Sequence, residues 1–160
     1  MPKYNITDKK QKTPLYRTTL SESLAEELYQ KIMVKFIVEK KYRYPKYSAQ
    51  EMAKELGTNT RYVSAVINLK YQDNYSQMVN DFRVKEAMYM LSDIHYVNMT
   101  MEDVGTKVGF ANRQCFYAAF FRRVGMSPFE YKKQNMLSLK NNMMKKKGKK
   151  DKSKGKRKDD

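Results

Sequence analysis

The chain has few residues of the types that perform catalysis or bind metals. Its 160 residues include one cysteine, Cys115, and one histidine, His95. A disulfide within the chain needs two cysteines, and a zinc site needs more ligands than these two residues supply. No nucleophile–base pair, carboxylate constellation or phosphate-cradling glycine loop is visible in the sequence. The sequence therefore predicts a protein that is not an enzyme and that uses no metal and no cofactor.

Two other stretches carry side chains whose chemistry suits the edges of nucleic-acid bases. Arg61 can donate two hydrogen bonds to guanine, and Gln114 can exchange two hydrogen bonds with adenine. Ala65 can pack on the methyl group of thymine. Such contacts need a rigid element that presents these side chains together, so the surrounding pattern decides whether the chemistry is available.

The charge of the chain indicates a polyanionic partner. Lysine and arginine number 33 against 17 acidic residues, which gives a formal net charge of +16. DNA, RNA and an anionic membrane all attract such a protein, and charge does not choose among them. No apolar stretch approaches the ~20 residues of a membrane span, and the chain does not begin with an apolar signal region. We therefore expect a cytoplasmic, nucleoid-associated protein without a membrane partner.

A pattern of cap, acid, apolar pair and glycine occurs twice in the chain. Residues 48–57 match residues 100–109 at a constant offset of 52. In each copy Ser or Thr can cap a helix, an acid three residues later can close a capping box, and glycine follows the helix. The equivalent pairs are Ser48 and Thr100, Glu51 and Asp103, Met52 and Val104, Ala53 and Gly105, Leu56 and Val108, and Gly57 and Gly109.

A second helix follows each glycine, now at an offset of 53. Asn59 and Asn112 can each cap it. Its apolar face is formed by Val63, Val66 and Ile67 in the first copy, and by Phe116, Ala119 and Phe120 in the second. A short capped helix, a glycine turn and a second helix with one apolar side are the layout of a helix-turn-helix unit.

The whole chain is predicted to be all-α, with two helix-turn-helix subdomains joined by a linker helix, about seven helices and disordered basic termini. Leu24, Leu28, Ile32 and Phe36 predict the buried face of a first helix at about 20–40. The linker helix would set the two units about 25 Å apart, at ~1.5 Å per residue. The predicted parts are a flexible arm (1–18), a double helix-turn-helix domain (19–136, with unit one at about 19–74, the linker helix at about 75–91 and unit two at about 92–136) and a disordered basic tail (137–160).

These residues resemble the DNA-binding domain of the AraC/XylS family of bacterial transcription regulators over about residues 20–135. The most specific stretch, 108–131, holds a glycine-phenylalanine turn, an aromatic-rich helix and a Ser-Pro-x-x-Tyr close. Residues 56–59 and 81–87 are similar to the family's first turn and linker helix. One departure is Gly105, which stands where the family usually has alanine.

The resemblance implies a regulator that places two recognition helices in successive major-groove segments of double-stranded DNA, about one helical turn apart. RNA polymerase is a candidate further partner, and no small-molecule sensor domain is expected in this chain. Recognition helices read bases with the exposed residues of their first turns. The predicted base-contacting residues are Arg61, Ser64, Ala65, Asn68, Arg113, Gln114, Tyr117 and Ala118, and the predicted phosphate contacts are Thr60, Tyr62, Lys70, Arg122 and Arg123.

An alternative interpretation is an architectural or RNA-associated basic protein that binds nucleic acid mainly through charge. Residues 140–160 carry eleven Lys or Arg and three Asp, so a basic tail could supply such binding or serve only solubility. A charge-driven binder needs no polar faces on duplicated helices, so the repeat favours the regulator.

Overall fold

The computed structural model describes the backbone of residues 20–154 and the side chains of residues 20–147. Within these residues the chain has seven α-helices, two short 3-10 helices and no strand, which confirms the predicted all-α fold. The predicted arm at 1–18 lies outside the described residues. The helices are α1 (Glu22–Ile37), α2 (Ala49–Glu55), α3 (Thr60–Lys70), α4 (Tyr75–Ser92), α5 (Met101–Val108), α6 (Arg113–Val124) and α7 (Pro128–Lys154).

The described residues form two compact units. The first contains residues 20–40 and 47–78, and the second contains residues 41–46 and 79–154. Each unit includes one copy of the repeated pattern. The 3-10 helix at Lys41–Arg43 belongs to the second unit although it follows α1 in the chain.

In the first unit, α3 packs against both α1 and α2. Leu28, Ile32 and Phe36 of α1 are buried as predicted, but Leu24 is 47% exposed and Ala25 is buried instead. The four-residue spacing explains the error, because each step of four residues turns a helix about 40° beyond a full turn. Over the twelve residues from Leu24 to Phe36 the rotation reaches about 120°, which moves Leu24 off the buried face.

The core of the second unit is built around the inner face of α6. Phe116 and Phe120 have no exposed surface, and their rings meet edge to face at 5.8 Å. Gly105 of α5 lies against this face, where an added Cβ would be 2.9 Å from Cδ1 of Phe116. The buried residues of this cluster are Val84, Ala87, Met90, Leu91, Val104, Val108, Phe110, Phe116 and Phe120.

The segment at 41–46 is fixed to the second unit by side chains of α4. Arg83 donates from Nε to the carbonyl of Tyr42 at 2.7 Å and from Nη2 to that of Tyr44 at 3.3 Å. Arg43 forms an ion pair with Glu86, and the ring of Tyr42 stacks on Phe82. Burial, with Glu86 close by, raises the pKa of Tyr42 to about 12.

Helix α7 begins as predicted at a capping box and ends later than predicted. Ser127 Oγ accepts from the amide of Glu130, whose carboxylate accepts from the amide of Ser127. The helix continues to Lys154, which differs from the disorder expected from residue 137. Lysine, leucine and methionine favour helix intrinsically, and a helix already nucleated on the core extends without new packing. In the part of the chain described here, no helix combines the length and apolarity needed to cross a membrane.

Gly57 and Gly109, which follow the first helix of each pair, both have a positive φ, but their surroundings differ. Gly57 has φ +66° with open space where a Cβ would lie. Gly109 has φ +108°, and its Cβ would lie 2.5 Å from the carbonyl oxygen of Tyr42 and 2.8 Å from the carbonyl carbon of Arg43. Only glycine therefore allows α5 to end against the segment at 41–46.

We expect Gly109→Ala to destabilise the second unit by about 3–5 kcal/mol, because it adds a backbone clash to a left-handed φ. Gly125→Ala is the matched control, since Gly125 has φ +81° and open space around its Cβ position. It should cost only about 1–2 kcal/mol. Denaturant unfolding of both variants measures the difference, and equal midpoints would show that the Tyr42 contact does not constrain residue 109.

Candidate nucleic-acid interface

The first helix of each repeated pair begins with a complete capping box. Ser48 Oγ accepts from the amide of Glu51 at 3.2 Å, and the Glu51 carboxylate accepts from the amide of Ser48 at 3.2 Å. Thr100 and Asp103 make the same two bonds at 3.1 and 3.0 Å. The hydrogen bonds from Thr100 hold the pKa of Asp103 below its usual value. The predicted boxes are therefore both formed.

The second helix of each pair, α3 or α6, is the one predicted to read DNA, and its first turn is fixed by asparagine. Asn59 Oδ1 accepts from the amide of Tyr62 at 2.9 Å, and Asn112 Oδ1 accepts from the amide of Cys115 at 2.8 Å. These caps satisfy backbone amides that the helix leaves without partners. The residues predicted to touch bases thus start from a rigid turn in both units.

On α3 the exposed face is narrower than predicted. Arg61 and Asn68 are exposed, and Thr60, Tyr62 and Ser64 are half-buried. Ala65 is only 3% exposed, so its predicted contact with a thymine methyl is wrong. Because α3 packs against both α1 and α2, more than one side of the helix is covered. Asn68 also donates its side-chain amide to the carbonyl of Ser64 at 2.9 Å.

On α6 the predicted face is exposed over most of its length. Arg113, Gln114 and Ala118 are exposed, whereas Tyr117 is half-buried with its ring edge-on to Phe116 at 5.9 Å. The guanidinium of Arg113 lies 4.8 Å from the centre of the Tyr117 ring and donates to its hydroxyl at 3.3 Å. Arg113 and Tyr117 therefore present one joined polar and aromatic surface beside Gln114.

The predicted phosphate contacts divide into two groups. Arg122 is exposed near the end of α6. Lys70 instead lies 2.8 Å from the carboxylate of Glu26, and Arg123 lies 2.9 Å from that of Asp81. The hydrogen bond raises the pKa of Lys70 and lowers that of Glu26. Two of the predicted phosphate ligands are therefore already engaged by acids.

Sequence reasoning missed two exposed side chains on α6. Cys115 is exposed in the first turn, and Phe121 is 61% exposed further along the helix. The repeat could have found Cys115, because the offset of 53 makes it the equivalent of Tyr62, which was included. As for metals, the described side chains include no group of three or more His, Cys, Asp or Glu that could hold an ion.

Ala65 and Ala118 occupy equivalent positions in the repeat and provide a direct test of these two surfaces. Ala65→Leu should destabilise the first unit by about 1–3 kcal/mol, because the larger side chain overpacks a covered site. Ala118→Leu should stay within about 0.5 kcal/mol of the parent, because that residue is exposed. Chemical denaturation checks both, and equal stability of the two variants would contradict the burial of Ala65.

Several solved structures share the fold of this chain at low sequence identity. One is the C-terminal domain of AraT, a response regulator from Geobacillus stearothermophilus, with a TM-score of 0.57 at 19% identity. The superposition covers 72% of this chain and 87% of the AraT domain. An AraC-type transcriptional regulator from Chromobacterium violaceum has a TM-score of 0.58 at 14% identity, with 72% and 96% covered. These likenesses show the fold.

Sequence comparison identifies the family. The melibiose operon regulatory protein of Escherichia coli K12 is 26% identical over 83 residues, which are 52% of this chain and 26% of that protein. The chain thus matches about a quarter of the length of this relative. A family model described as a helix-turn-helix domain matches residues 52–134, just over half of the chain. The chain belongs to the AraC/XylS-type family of helix-turn-helix proteins.

Proposed function

We propose that the chain is a transcription regulator that binds a specific site in double-stranded DNA by inserting α3 and α6 into two major-groove segments. The observation that carries the proposal is the matched construction of the two helices. Each has an asparagine cap, buried apolar residues on one face and an exposed polar residue in its first turn. The shared family supports a role in transcription. The named relative is a regulatory protein as a whole, and only about a quarter of its length matches this chain.

Arg61 and Gln114 are the proposed centres of base reading. They are equivalent in the repeat, both are exposed, and both carry planar groups with two hydrogen-bonding atoms. The guanidinium of Arg61 matches guanine, and the amide of Gln114 matches adenine. Because the two side chains differ in chemistry, the two parts of the site should differ in sequence.

Phosphate contacts would fix the register of these helices on DNA. Thr60 and Tyr62 flank Arg61 at the start of α3, and Arg122 lies near the end of α6. All three side chains are partly or fully exposed. Hydrogen bonds to phosphate position a protein without carrying sequence information. The lysines of α7, such as Lys140 and Lys145, are exposed and would add attraction for any DNA.

Binding should weaken steeply with salt, because each phosphate contact releases condensed counterions. With about 6–10 contacts, affinity should fall ~10³–10⁵-fold between 50 and 200 mM salt. Fluorescence anisotropy on labelled duplex DNA measures the slope. A nearly flat dependence would remove DNA as the partner.

Base reading is tested by site selection from random duplex DNA with three variants. Arg61→Ala should cost ~1–3 kcal/mol and relax the preference at one base pair, and Gln114→Ala should do so in the other part of the site. Arg122→Ala is the control for a phosphate contact, and it should weaken all sequences alike.

The competing architectural or RNA-binding function predicts a different outcome of the same selection. The parent protein would then enrich no two-part site, and the Arg61 and Gln114 variants would shift affinity as uniformly as the Arg122 variant. RNA added as a competitor would then displace the labelled duplex as effectively as unlabelled non-specific DNA does. This result would overturn the proposed function.

A further inference from the structure

Two cations at equivalent places of the repeat share one arrangement. Lys70 is the last residue of α3, and Arg123 lies in the last turn of α6, 53 positions further along. Each meets an acid on a longer helix of its own unit. Nζ of Lys70 lies 2.8 Å from Oε2 of Glu26 on α1, and Nη1 of Arg123 lies 2.9 Å from Oδ2 of Asp81 on α4.

The surroundings of each acid restrict its carboxylate. Glu26 receives a hydrogen bond on Oε1 from the side chain of Gln30 at 2.8 Å, which leaves Oε2 directed to Lys70. The side chain of Asp81 is only 15% exposed, so its surroundings restrict its position. The two pairs use different acids, different cations and different partner helices. Each unit thus makes the contact with its own residue types.

The two ion pairs lie at the far ends of the proposed reading helices, where they can affect base reading. The first turn of each reading helix is held by its asparagine cap, and the cation holds the opposite end about 15 Å away, at 1.5 Å per residue. A helix fixed at both ends has a defined direction. Base contacts require side chains placed to within ~0.5 Å, so a small change in direction at the first turn changes which bases fit.

We propose that Lys70 and Arg123 are positioning residues, whose ion pairs with Glu26 and Asp81 set the direction of α3 and α6, and that neither is a phosphate ligand. This inference rests on the proposed function. The cations and Glu26 remain partly exposed, and an ion pair at a protein surface shifts an equilibrium only about two- to fivefold, which is too little to hold the fold together. It is enough to bias one orientation of a helix end, so the effect belongs in DNA specificity and not in thermal stability.

The decisive variant is Glu26→Gln, which removes the charge and keeps the shape of the side chain. If Lys70 positions α3, this variant lowers the ratio of specific to non-specific affinity about two- to fivefold and relaxes the base preference read by α3. If Lys70 binds phosphate, the variant releases the lysine, tightens binding to all DNA alike and leaves the ratio unchanged. That second result would overturn the proposal.

Glu27→Gln is the matched control, because it makes the same change in net charge one residue away. Glu27 pairs with Lys31 on the outer surface of α1, where both side chains are more than half exposed. Its specificity ratio should equal that of the parent. For the second unit, Asp81→Asn should relax only the base preference read by α6.

A variant that exchanges the charges of positions 26 and 70 separates the effect of the ion pair from the effect of net charge. The double variant Glu26→Lys with Lys70→Glu keeps both the total charge and the attraction between the two positions. It should bind the specific site within about threefold of the parent, because the pair can re-form. A uniform loss on all sequences, with the salt slope reduced by about 1, would identify Lys70 as a phosphate ligand and overturn the proposal.

The parent protein separates failure of this inference from failure of the proposed function. If the parent selects no two-part site, the proposed function fails and the positioning role fails with it. If the parent selects such a site but Glu26→Gln and Glu27→Gln give equal ratios, only the positioning role fails. Thermal unfolding of each variant confirms that the compared proteins are folded.

Discussion

The packing of Phe116 against the backbone of Gly105 is the contact on which the second unit depends. Phe116 is fully buried, and its Cδ1 lies where a side chain at position 105 would begin. Glycine inside a helix costs roughly 0.5–1 kcal/mol relative to alanine. The helix propensity of α5 is therefore lower, but the absence of a side chain at position 105 makes room for the ring of Phe116. In the first unit the equivalent positions hold Ala53 and Val63, both buried. A larger residue on one helix is thus matched by a smaller one on the other, as a close-packed interior requires. This exchange accounts for glycine at position 105.

The turn between the two helices of a pair also differs between the units. The second copy has one more residue between its glycine and its asparagine cap. Phe110 is the equivalent of Thr58, because the amide of each donates to the equivalent residue of the preceding helix, Gly105 or Ala53, at 2.9 Å. Phe110 is 5% exposed, lies 5.3 Å from the ring of Phe116 and receives the guanidinium of Arg83 at 5.5 Å. The turn of the second unit therefore adds an aromatic residue to the core where the first unit has threonine. The repeat also shows that one backbone conformation can be filled by different residues, since Gln72 and Gly125 are equivalent and both have a positive φ.

The features predicted correctly from the sequence are those that depend on residues close in the chain. A cap and its acid lie three residues apart, and the apolar residues of α3 and α6 recur within two turns, so local chemistry defines them. Ala65 could not be predicted, because its burial comes from packing against two other helices. The pairs of Lys70 with Glu26 and Arg123 with Asp81 join residues more than 40 positions apart, where spacing carries no information. At the candidate interface, therefore, the exposed first turns could be predicted, but the ion pairs of Lys70 and Arg123 could not.

The placement of the acids explains how so basic a chain can fold and still present cations to a partner. Glu51, Asp103 and Glu130 all close capping boxes, where the N-terminal end of a helix stabilises negative charge. Glu86 instead holds the segment at 41–46 through Arg43. Each of these acids accepts hydrogen bonds from a backbone amide or pairs with a cation within the fold. Arg61, in the first turn of α3, is exposed. Negative charge thus stabilises helix ends and the segment at 41–46, while a cation of a proposed reading helix stays on the surface, where it can attract a polyanion.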